Sequence, residues 1–152
     1  MRRVYVGLGA NLGSREQTIR RALELLHDGF ETRVVAVSTL RETDPVGLSE
    51  QPRFLNGVAV LETSLEPGEL LDRLLSVERS LGRTRDGPRF GPRTIDLDLL
   101  LAGDAVLEEP GLTLPHPRLH ERRFVLEPLV EVAPGLVVPG RGPVAELLSA
   151  LD

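Results

Sequence analysis

The order of strand-like and helix-like segments is the feature that most constrains how this chain can fold. Four segments have the two-residue alternation or the short apolar run that is typical of strands: residues 2–8, 34–40, 54–63 and 95–101. Two segments place apolar residues at helical spacing: residues 15–27 and 67–81. The resulting order, β-α-β-β-α-β, predicts an α+β fold with a ferredoxin-like core, in which both helices cover one face of an antiparallel sheet. We expect the other face to be open and free to carry a site.

The C-terminal third is predicted to add shorter elements to this core. Residues 106–114 favour a hairpin, and residues 124–132 and 144–151 favour short helices. Residues 41–52 form a predicted loop rich in Pro and Gly, and loops of this length are often functional. The chain has 152 residues without an internal repeat or a second apolar core, so we expect one domain over residues 1–152.

The composition excludes several kinds of chemistry. All 18 basic residues are Arg and Cys is absent, which removes Walker-type phosphate lysines, disulfides and thiolate metal sites. A net charge of −5 argues against general nucleic-acid binding, and no apolar run is long enough to span a bilayer. We therefore expect a cytoplasmic protein with no nucleic-acid or membrane partner. Any anion must be bound by Arg, His, backbone amides or a metal ion.

An Asp-x-Asp pair lies in the last predicted strand of the core. Strand side chains alternate between faces, so Asp96 and Asp98 share one face roughly 7 Å apart, while Ile95, Leu97 and Leu99 face the core. Neighbouring carboxylates repel each other unless a cation lies between them. Mg2+ commonly takes one or two protein carboxylates and completes its shell with water and phosphate oxygens. The pair therefore predicts a magnesium and phosphate site.

The alternative is a half-exposed strand whose aspartates serve only solubility. Two observations favour the metal site. Asp is a poor strand former. The preceding segment also carries four arginines that could bind phosphate: Arg83, Arg85, Arg89 and Arg93. The strand itself leaves both interpretations open.

Three further residues suggest a pocket for a flat heterocycle. Asn56 lies within a predicted strand on the same face as Phe54, so an amide could bind the edge of a ring that the phenyl group stacks on. Phe124 is a second candidate stacking platform, although the sequence alone favours a core residue at this position. His116, in a loop between two prolines, could bind phosphate together with Arg122 or could simply be solvated.

Several motifs, taken in order, resemble the 6-hydroxymethyl-7,8-dihydropterin pyrophosphokinase family. The resemblance is carried by Glu78, by Gly-Pro-Arg-Thr-Ile-Asp-Leu-Asp-Leu-Leu-Leu at 91–101, and by motifs at 9–13, 41–47, 51–56, 82–85, 114–117 and 122–124. It covers essentially the whole chain and implies a ferredoxin-like α/β/α sandwich with C-terminal helical additions. It also implies transfer of the β,γ-diphosphate of ATP to the pterin hydroxymethyl group, with release of AMP, in folate biosynthesis. The partners would be these small molecules, and we expect a monomer.

The resemblance also implies roles for individual residues. Asp96 and Asp98 would hold two Mg2+ ions that bridge the ATP phosphates. Residues implied to bind the pterin are Thr43, Asp44, Val46, Phe54, Asn56 and Phe124. Residues implied to clamp the reacting phosphates as their loop closes are Arg83, Arg85 and Arg93. Residues implied to bind ATP are Glu78, Arg85, Arg93, Leu99, Thr113, His116 and Arg122.

The chain departs from the family pattern at five positions. Phe54 replaces a common Tyr, Phe90 a Trp and Asp44 a Pro, while Gly111 and Pro117 replace larger residues. These changes bear on ATP affinity and loop closure rather than on the reaction. Two other functions remain as alternatives: a non-catalytic module that senses a small ligand, and a different Mg2+-dependent phosphotransferase or nucleotidyltransferase. The predicted pocket for a heterocycle argues against the latter.

Overall fold

A computed structural model describes residues 1–10, 15–43, 54–82 and 95–151 of the chain. Its strands are β1 (Arg2–Ala10), β2 (Thr32–Val37), β3 (Arg41–Thr43), β4 (Phe54–Thr63), β5 (Asp96–Ala102), β6 (Leu107–Glu109), β7 (Leu112–Leu114), β8 (Val137–Val138) and β9 (Gly142–Pro143). Its helices are α1 (Arg15–Leu26), α2 (Pro67–Ser80), α3 (Arg123–Val132) and α4 (Val144–Ser149), with a 3-10 turn at Leu119–Glu121. Among the described helices, none has the length and apolar character needed to cross a membrane.

The main sheet has the strand order β2-β4-β1-β5, and β3 also pairs with β4. Every pair in it is antiparallel. The predicted β-α-β-β-α-β core is therefore confirmed, with β3 as an additional short strand. The predicted strand 54–63 has the same bounds as β4, because its alternating apolar residues are followed by a turn into the next helix.

One face of the sheet is covered by α1 and α2. Ile19 of α1 and Leu70 of α2 are fully buried against strand residues such as Val4, Val6 and Leu61. Helix α2 begins at Pro67, and Gly82 follows it with a φ of 118°, a conformation that favours glycine. This apolar layer explains why the helical periodicity of the sequence was sufficient to predict both helices.

The opposite face is partly covered by the C-terminal helices, so the expectation of an open face is wrong for that part. Val58 and Val60 of β4 pack with Leu126 and Leu129 of α3, and all four are buried. The physical reason is that these strands carry apolar side chains on both faces, and both faces must be buried. The resulting layers are the α/β/α sandwich with C-terminal helices that the resemblance implied.

The segment before the undescribed residues 44–53 differs from the prediction. The strand expected at 34–40 begins earlier and ends at Val37, and Arg41–Thr43, predicted as loop, forms β3. Between the two strands, the Ser38 N–H donates to the Val58 carbonyl at 2.9 Å, and the Val58 N–H donates to the Ser38 hydroxyl at 2.9 Å. The serine side chain thus replaces a backbone partner and ends the regular ladder.

Candidate active site

The register of the sheet brings the candidate residues to one place. Gly9 of β1 lies directly opposite Asn56 of β4 on one side and Asp96 of β5 on the other. Two residues earlier, Gly7 lies opposite Asp98. Because directly paired residues of antiparallel strands point to the same face, the amide of Asn56 and the two carboxylates share a face of the sheet. The strand between them contributes glycine, which has no side chain to fill the space.

A cavity of about 580 Å³ opens over this row of residues. Its floor is the sheet, including Gly7, Gly9 and both aspartates, and its other wall is the start of α3 with the turn before it. The lining residues that the sequence predicted as site residues are Thr43, Phe54, Asn56, Asp96, Asp98, Arg122 and Phe124. The aromatic, amide and carboxylate groups therefore meet in one cavity.

The two aspartates have the orientation that the strand pattern predicted. Ile95, Leu97 and Leu99 are 0%, 4% and 4% exposed and lie in the core, whereas Asp96 is half-buried and Asp98 is exposed. Within the described ranges, no group of three or more His, Asp or Glu side chains converges as a self-sufficient metal site. A cation held by this pair would therefore take its remaining ligands from water or from a bound phosphate. That ligand set fits Mg2+.

Glu78 of α2 contacts β5 from the side of the sheet that the helices cover. It is 3% exposed on α2, and its carboxylate accepts the backbone N–H of Leu97 at 2.7 Å. Glu78 and Leu99 were both predicted to bind ATP. Their side chains are buried, and neither residue lines the cavity. The geometry of Glu78 is that of a residue that positions β5.

Thr43 and Asn56 form a hydrogen-bonded pair on one wall of the cavity. The Thr43 hydroxyl donates to Asn56 Oδ1 at 3.0 Å. Asn56 Nδ2 lies on the other side of the amide, 3.8 Å from the point that a Cβ atom on Gly9 would occupy. Asn56 is 8% exposed and lines the cavity, and because the Thr43 hydroxyl binds Oδ1, we infer that the amide meets a ligand through its N–H groups. Asp44 and Val46, predicted to line the same pocket, lie outside the described residues.

The cationic side chains that line the cavity among the described residues come from the first residue of α3 and the segment before it. The Arg122 guanidinium lies over the ring of Phe124, with 5.6 Å between Cζ and the ring centroid. Arg118 and Arg123 also line the cavity, together with Glu121, and the sequence analysis had not selected them. The predicted phosphate clamp of Arg83, Arg85 and Arg93 lies outside the described residues.

His116 is held in a defined protonation state beside the cavity. Its backbone N–H donates to the Leu100 carbonyl at 2.9 Å, and its Nδ1 accepts the backbone N–H of Arg118 at 3.2 Å. Partial burial lowers the pKa of His116, Asp98 raises it, and Arg122 and Arg118 lower it, for a net decrease. The imidazole is therefore neutral at pH 7, with its proton on Nε2 as a donor. Thr113, another predicted ATP residue, is exposed on β7 and does not line the cavity.

Gly7 and Gly9 are two further lining residues that were not predicted from the sequence. The signal that could have identified Gly7 is its place inside a predicted strand, because a glycine there often marks the close approach of a ligand. Gly9 pairs with Asn56 on one side and with Asp96 on the other. A local sequence pattern does not predict this pairing, because the partners are distant in the sequence.

Comparisons with known proteins assign the chain to one family. A family described as "7,8-dihydro-6-hydroxymethylpterin-pyrophosphokinase (HPPK)" matches residues 5–134. A Pseudomonas aeruginosa protein named 2-amino-4-hydroxy-6-hydroxymethyldihydropteridine pyrophosphokinase is 49% identical over 150 residues, covering 99% of this chain and 92% of its own length. A Bacillus subtilis protein of the same name is 48% identical, covering 84% of this chain and 76% of its own length.

Solved structures show the same fold at low sequence identity. A crystal structure described as HPPK-DHPS in complex with substrates has a TM-score of 0.79 at 11% identity, over 98% of this chain and 43% of that chain. The Plasmodium falciparum HPPK-DHPS wild type with SDX-DHP has a TM-score of 0.73 at 14% identity, over 99% of this chain and 43% of that chain. The chain thus aligns with less than half of these longer proteins.

Proposed function

This chain belongs to the HPPK family, the pyrophosphokinases of folate biosynthesis, and from that premise we propose the reaction that its cavity performs. The β,γ-diphosphate of ATP is transferred to the hydroxymethyl group of 6-hydroxymethyl-7,8-dihydropterin, and AMP is released. The observation that carries the proposal is the row formed by Asn56, Gly9 and Asp96 across three neighbouring strands. In this proposal, the heterocycle binds near Asn56 and the metal-bound phosphate binds beside it, near Asp96.

The acceptor half of the site is the space near Asn56. A flat bicyclic ring enters between Phe54 and Phe124, both of which line the cavity, and stacks on their faces. Asn56 Nδ2 donates to an acceptor atom on the ring edge, while Thr43 keeps the amide from rotating. Asp44 and Val46, which follow β3 in the sequence, complete the acceptor pocket in this proposal.

The donor half of the site is the space over Asp96 and Asp98. The two carboxylates would hold two Mg2+ ions, which would supply charge neutralisation at the phosphates. Arg122, which lines the cavity, and His116, whose Nδ1 already accepts a backbone N–H so that its Nε2 carries the proton, donate to phosphate oxygens in this proposal. Arg83, Arg85 and Arg93 supply the remaining positive charge in this proposal.

The chemical step is an in-line displacement at the β-phosphorus. The hydroxymethyl oxygen forms the new P–O bond, the bond between the α,β-bridging oxygen and the β-phosphorus breaks, and AMP leaves with that electron pair. The hydroxyl proton is released to solvent as the new ester bond forms, which balances the reaction. The contribution of the protein is to align the two reactants and to exclude water, so the rate depends on the geometry of the cavity.

One incubation tests this proposal against both alternatives. The protein is mixed with ATP, Mg2+ and 6-hydroxymethyl-7,8-dihydropterin, and the nucleotide and pterin products are separated. We expect AMP and pterin diphosphate in equal amounts. Formation of ADP would indicate another phosphotransferase, and binding of the pterin without any product would indicate a binding module.

We also propose that residues 1–152 act as one unit, as a cytoplasmic monomer with only small-molecule partners. The described strands form one main sheet with an apolar layer on each face, which supports this proposal. Light scattering coupled to size exclusion at micromolar concentration tests it, and a mass near 16.6 kDa is expected. A mass near twice that value would contradict it.

A further inference from the structure

Glu131, near the end of α3, binds the linker between β2 and β3. Its Oε2 accepts the backbone N–H of Thr39 at 2.7 Å and the Thr39 hydroxyl at 3.0 Å. Its Oε1 accepts Nη2 of Arg41 at 2.7 Å. One carboxylate therefore makes three hydrogen bonds to two residues that are more than 80 positions earlier in the sequence. Its pKa is lowered chiefly by the hydrogen bond from the Thr39 backbone, so it is ionised at neutral pH.

The helix that carries Glu131 also forms a wall of the acceptor pocket. Phe124, Glu127, Pro128 and Glu131 follow one another at i, i+3, i+4 and i+7, so they lie along one stripe of α3. The first three line a second cavity of about 300 Å³ beside the first. Both cavities are lined by Phe124 of α3 and, on the opposite wall, by Thr43 and Asn56. The position of α3 therefore sets the width of both cavities.

The linker that Glu131 binds leads directly to that opposite wall. After Thr39, β3 pairs with β4 so that Arg41 lies opposite Asn56 and Thr43 lies opposite Phe54. The linker also lies tightly against β4, because a Cβ atom on Gly57 would come within 2.6 Å of Leu40 Cδ2. A shift at Thr39 is therefore transmitted along a short, packed segment to the hydroxyl that orients the Asn56 amide.

We propose that Glu131 is a positioning residue for the acceptor substrate: by holding the β2–β3 linker against α3, it sets the separation between Phe124 and the Thr43–Asn56 pair. The proposal rests on the proposed function, because it takes this pocket as the pterin pocket. Glu131 does not line either cavity. It acts through the residues on each side of the pocket and leaves the phosphate half of the site unchanged.

Two substitutions at this position, with one control, test the proposal. E131A removes all three hydrogen bonds, whereas E131Q keeps one acceptor oxygen and loses the charge that binds Arg41. The control is E24Q on α1, where an exposed glutamate also pairs with an arginine, Arg21, at 3.0 Å. It makes the same chemical change on the helix layer that covers the other face of the sheet.

The first readout is the separation of pterin affinity from ATP affinity. Loss of charge-assisted hydrogen bonds of this kind is expected to raise the Kd for 6-hydroxymethylpterin about tenfold in E131A. We expect a smaller increase in E131Q, none in E24Q, and less than about a twofold change in the Kd for a non-hydrolysable ATP analogue in any variant. Equal weakening of both ligands, or wild-type pterin affinity in both variants, would overturn the proposal.

The second readout needs no substrate and therefore separates this proposal from the proposed function. Amide hydrogen exchange in β3, and the NMR signals of the Asn56 side-chain amide, are compared between E131Q and wild type. Faster exchange in β3 and shifted Asn56 signals are expected, and unchanged values would overturn the positioning role. If these changes occur but the wild-type protein forms no AMP, the proposed function fails while the link between Glu131 and the pocket stands. If E131A does not fold, E131Q alone decides.

Discussion

The buried carboxylate of Glu78 accepts the backbone N–H of Leu97 at 2.7 Å, so α2 holds β5 at the residue between Asp96 and Asp98. Leu97 faces the core at 4% exposure, while its two neighbours face the cavity. A helix on one side of the sheet thus determines where two carboxylates lie on the other side. This relationship gives a structural role to a residue whose position in the sequence implied a contact with ATP.

Replacement of Glu78 is expected to affect stability first. E78A leaves the Leu97 N–H buried without this acceptor, which should lower the free energy of unfolding by about 1–3 kcal/mol. E78Q keeps an acceptor oxygen of the same shape and should lower it less. Urea unfolding of the two variants measures the difference. If E78Q instead retains full stability but raises the KM for ATP about tenfold or more, Glu78 contacts the nucleotide directly.

Replacement of Asp98 is expected to remove activity without loss of stability. Asp98 is exposed on its strand, so D98A leaves the core intact. It removes one of two carboxylates proposed to hold the metal, which should reduce kcat by about 10³-fold or more, because metal ions contribute several kcal/mol of charge stabilisation. The control is D104A, which removes an exposed aspartate from the turn after β5. A D98A rate within tenfold of wild type would contradict the metal assignment.

Filling the space above Gly9 should weaken acceptor binding in proportion to the added volume while the protein remains folded. The φ of Gly9 is not positive, so a side chain is sterically allowed by the backbone, and Val is a better strand former than Gly. G9A adds a Cβ atom 3.8 Å from Asn56 Nδ2, which is an ordinary contact. G9V places two further methyl groups in the cavity. We expect a small loss of pterin affinity in G9A, about a hundredfold loss in G9V, and an unchanged Tm in both.

Pterin binding that is as tight in G9V as in wild type would show that the ligand does not lie over this row. Isothermal titration with the pterin alone makes the measurement, because the phosphate half of the site is then not involved. A low Tm in G9V together with a normal Tm in G9A would indicate that the added methyl groups disturb the packing of β1. In that case, the pterin affinity of G9A, rather than that of G9V, would test the prediction.

Acid sensitivity is expected from Asp28, in the turn between α1 and β2. Its Oδ1 accepts the backbone N–H groups of Phe30, Glu31 and Thr32 at 2.7, 2.9 and 3.0 Å. These bonds, with Arg73, lower the pKa of Asp28 from 3.8 to about 2, the backbone bonds from Thr32 and Phe30 contributing most. Because the pKa is lower in the folded state, the stabilisation is complete above about pH 4 and is lost as the pH falls toward 2.

The variant D28N tests this dependence. At pH 7 it should be less stable than wild type by about 1 kcal/mol, a value reduced by solvent because the side chain is 30% exposed. Urea unfolding at pH 7 and pH 3 gives the difference at each pH, which should be smaller at pH 3. A difference that does not change with pH would contradict the lowered pKa. The control is D72N, at an exposed residue of α2.

The sequence was sufficient to predict elements whose apolar residues follow one regular period. The bounds of β4 agree with the prediction at both ends, and β5 has the predicted orientation, because each segment must bury a defined face. Arg41–Thr43 was predicted as loop because three residues show no period of their own. Its strand conformation depends on pairing with Phe54, Leu55 and Asn56 of β4.

The site was predictable wherever a residue was unusual for its surroundings. Asn56 within a strand and two aspartates in one strand are poor choices for stability, and this contrast identified them. Glu131 gave no such signal. A glutamate on a helix is ordinary, and its partners Thr39 and Arg41 are distant in the sequence. The roles predicted for Arg83, Arg85, Arg93, Asp44 and Val46 stay predictions.

The row of Asn56, Gly9 and Asp96 also fixes the distance between its two outer residues. Adjacent strands are about 4.8 Å apart, so the backbones of Asn56 and Asp96 are separated by roughly 9.6 Å. Backbone hydrogen bonds fix that distance, and it does not depend on side-chain rotamers or on closure of any loop. In the proposed reaction, the sheet therefore fixes the separation between the pterin ring, which carries the accepting hydroxymethyl group, and the carboxylates that would hold the metal. We expect that an acceptor whose hydroxyl group is separated from the ring by a longer chain would still bind at Asn56. Its oxygen would not lie in line with the bond that breaks at the β-phosphorus.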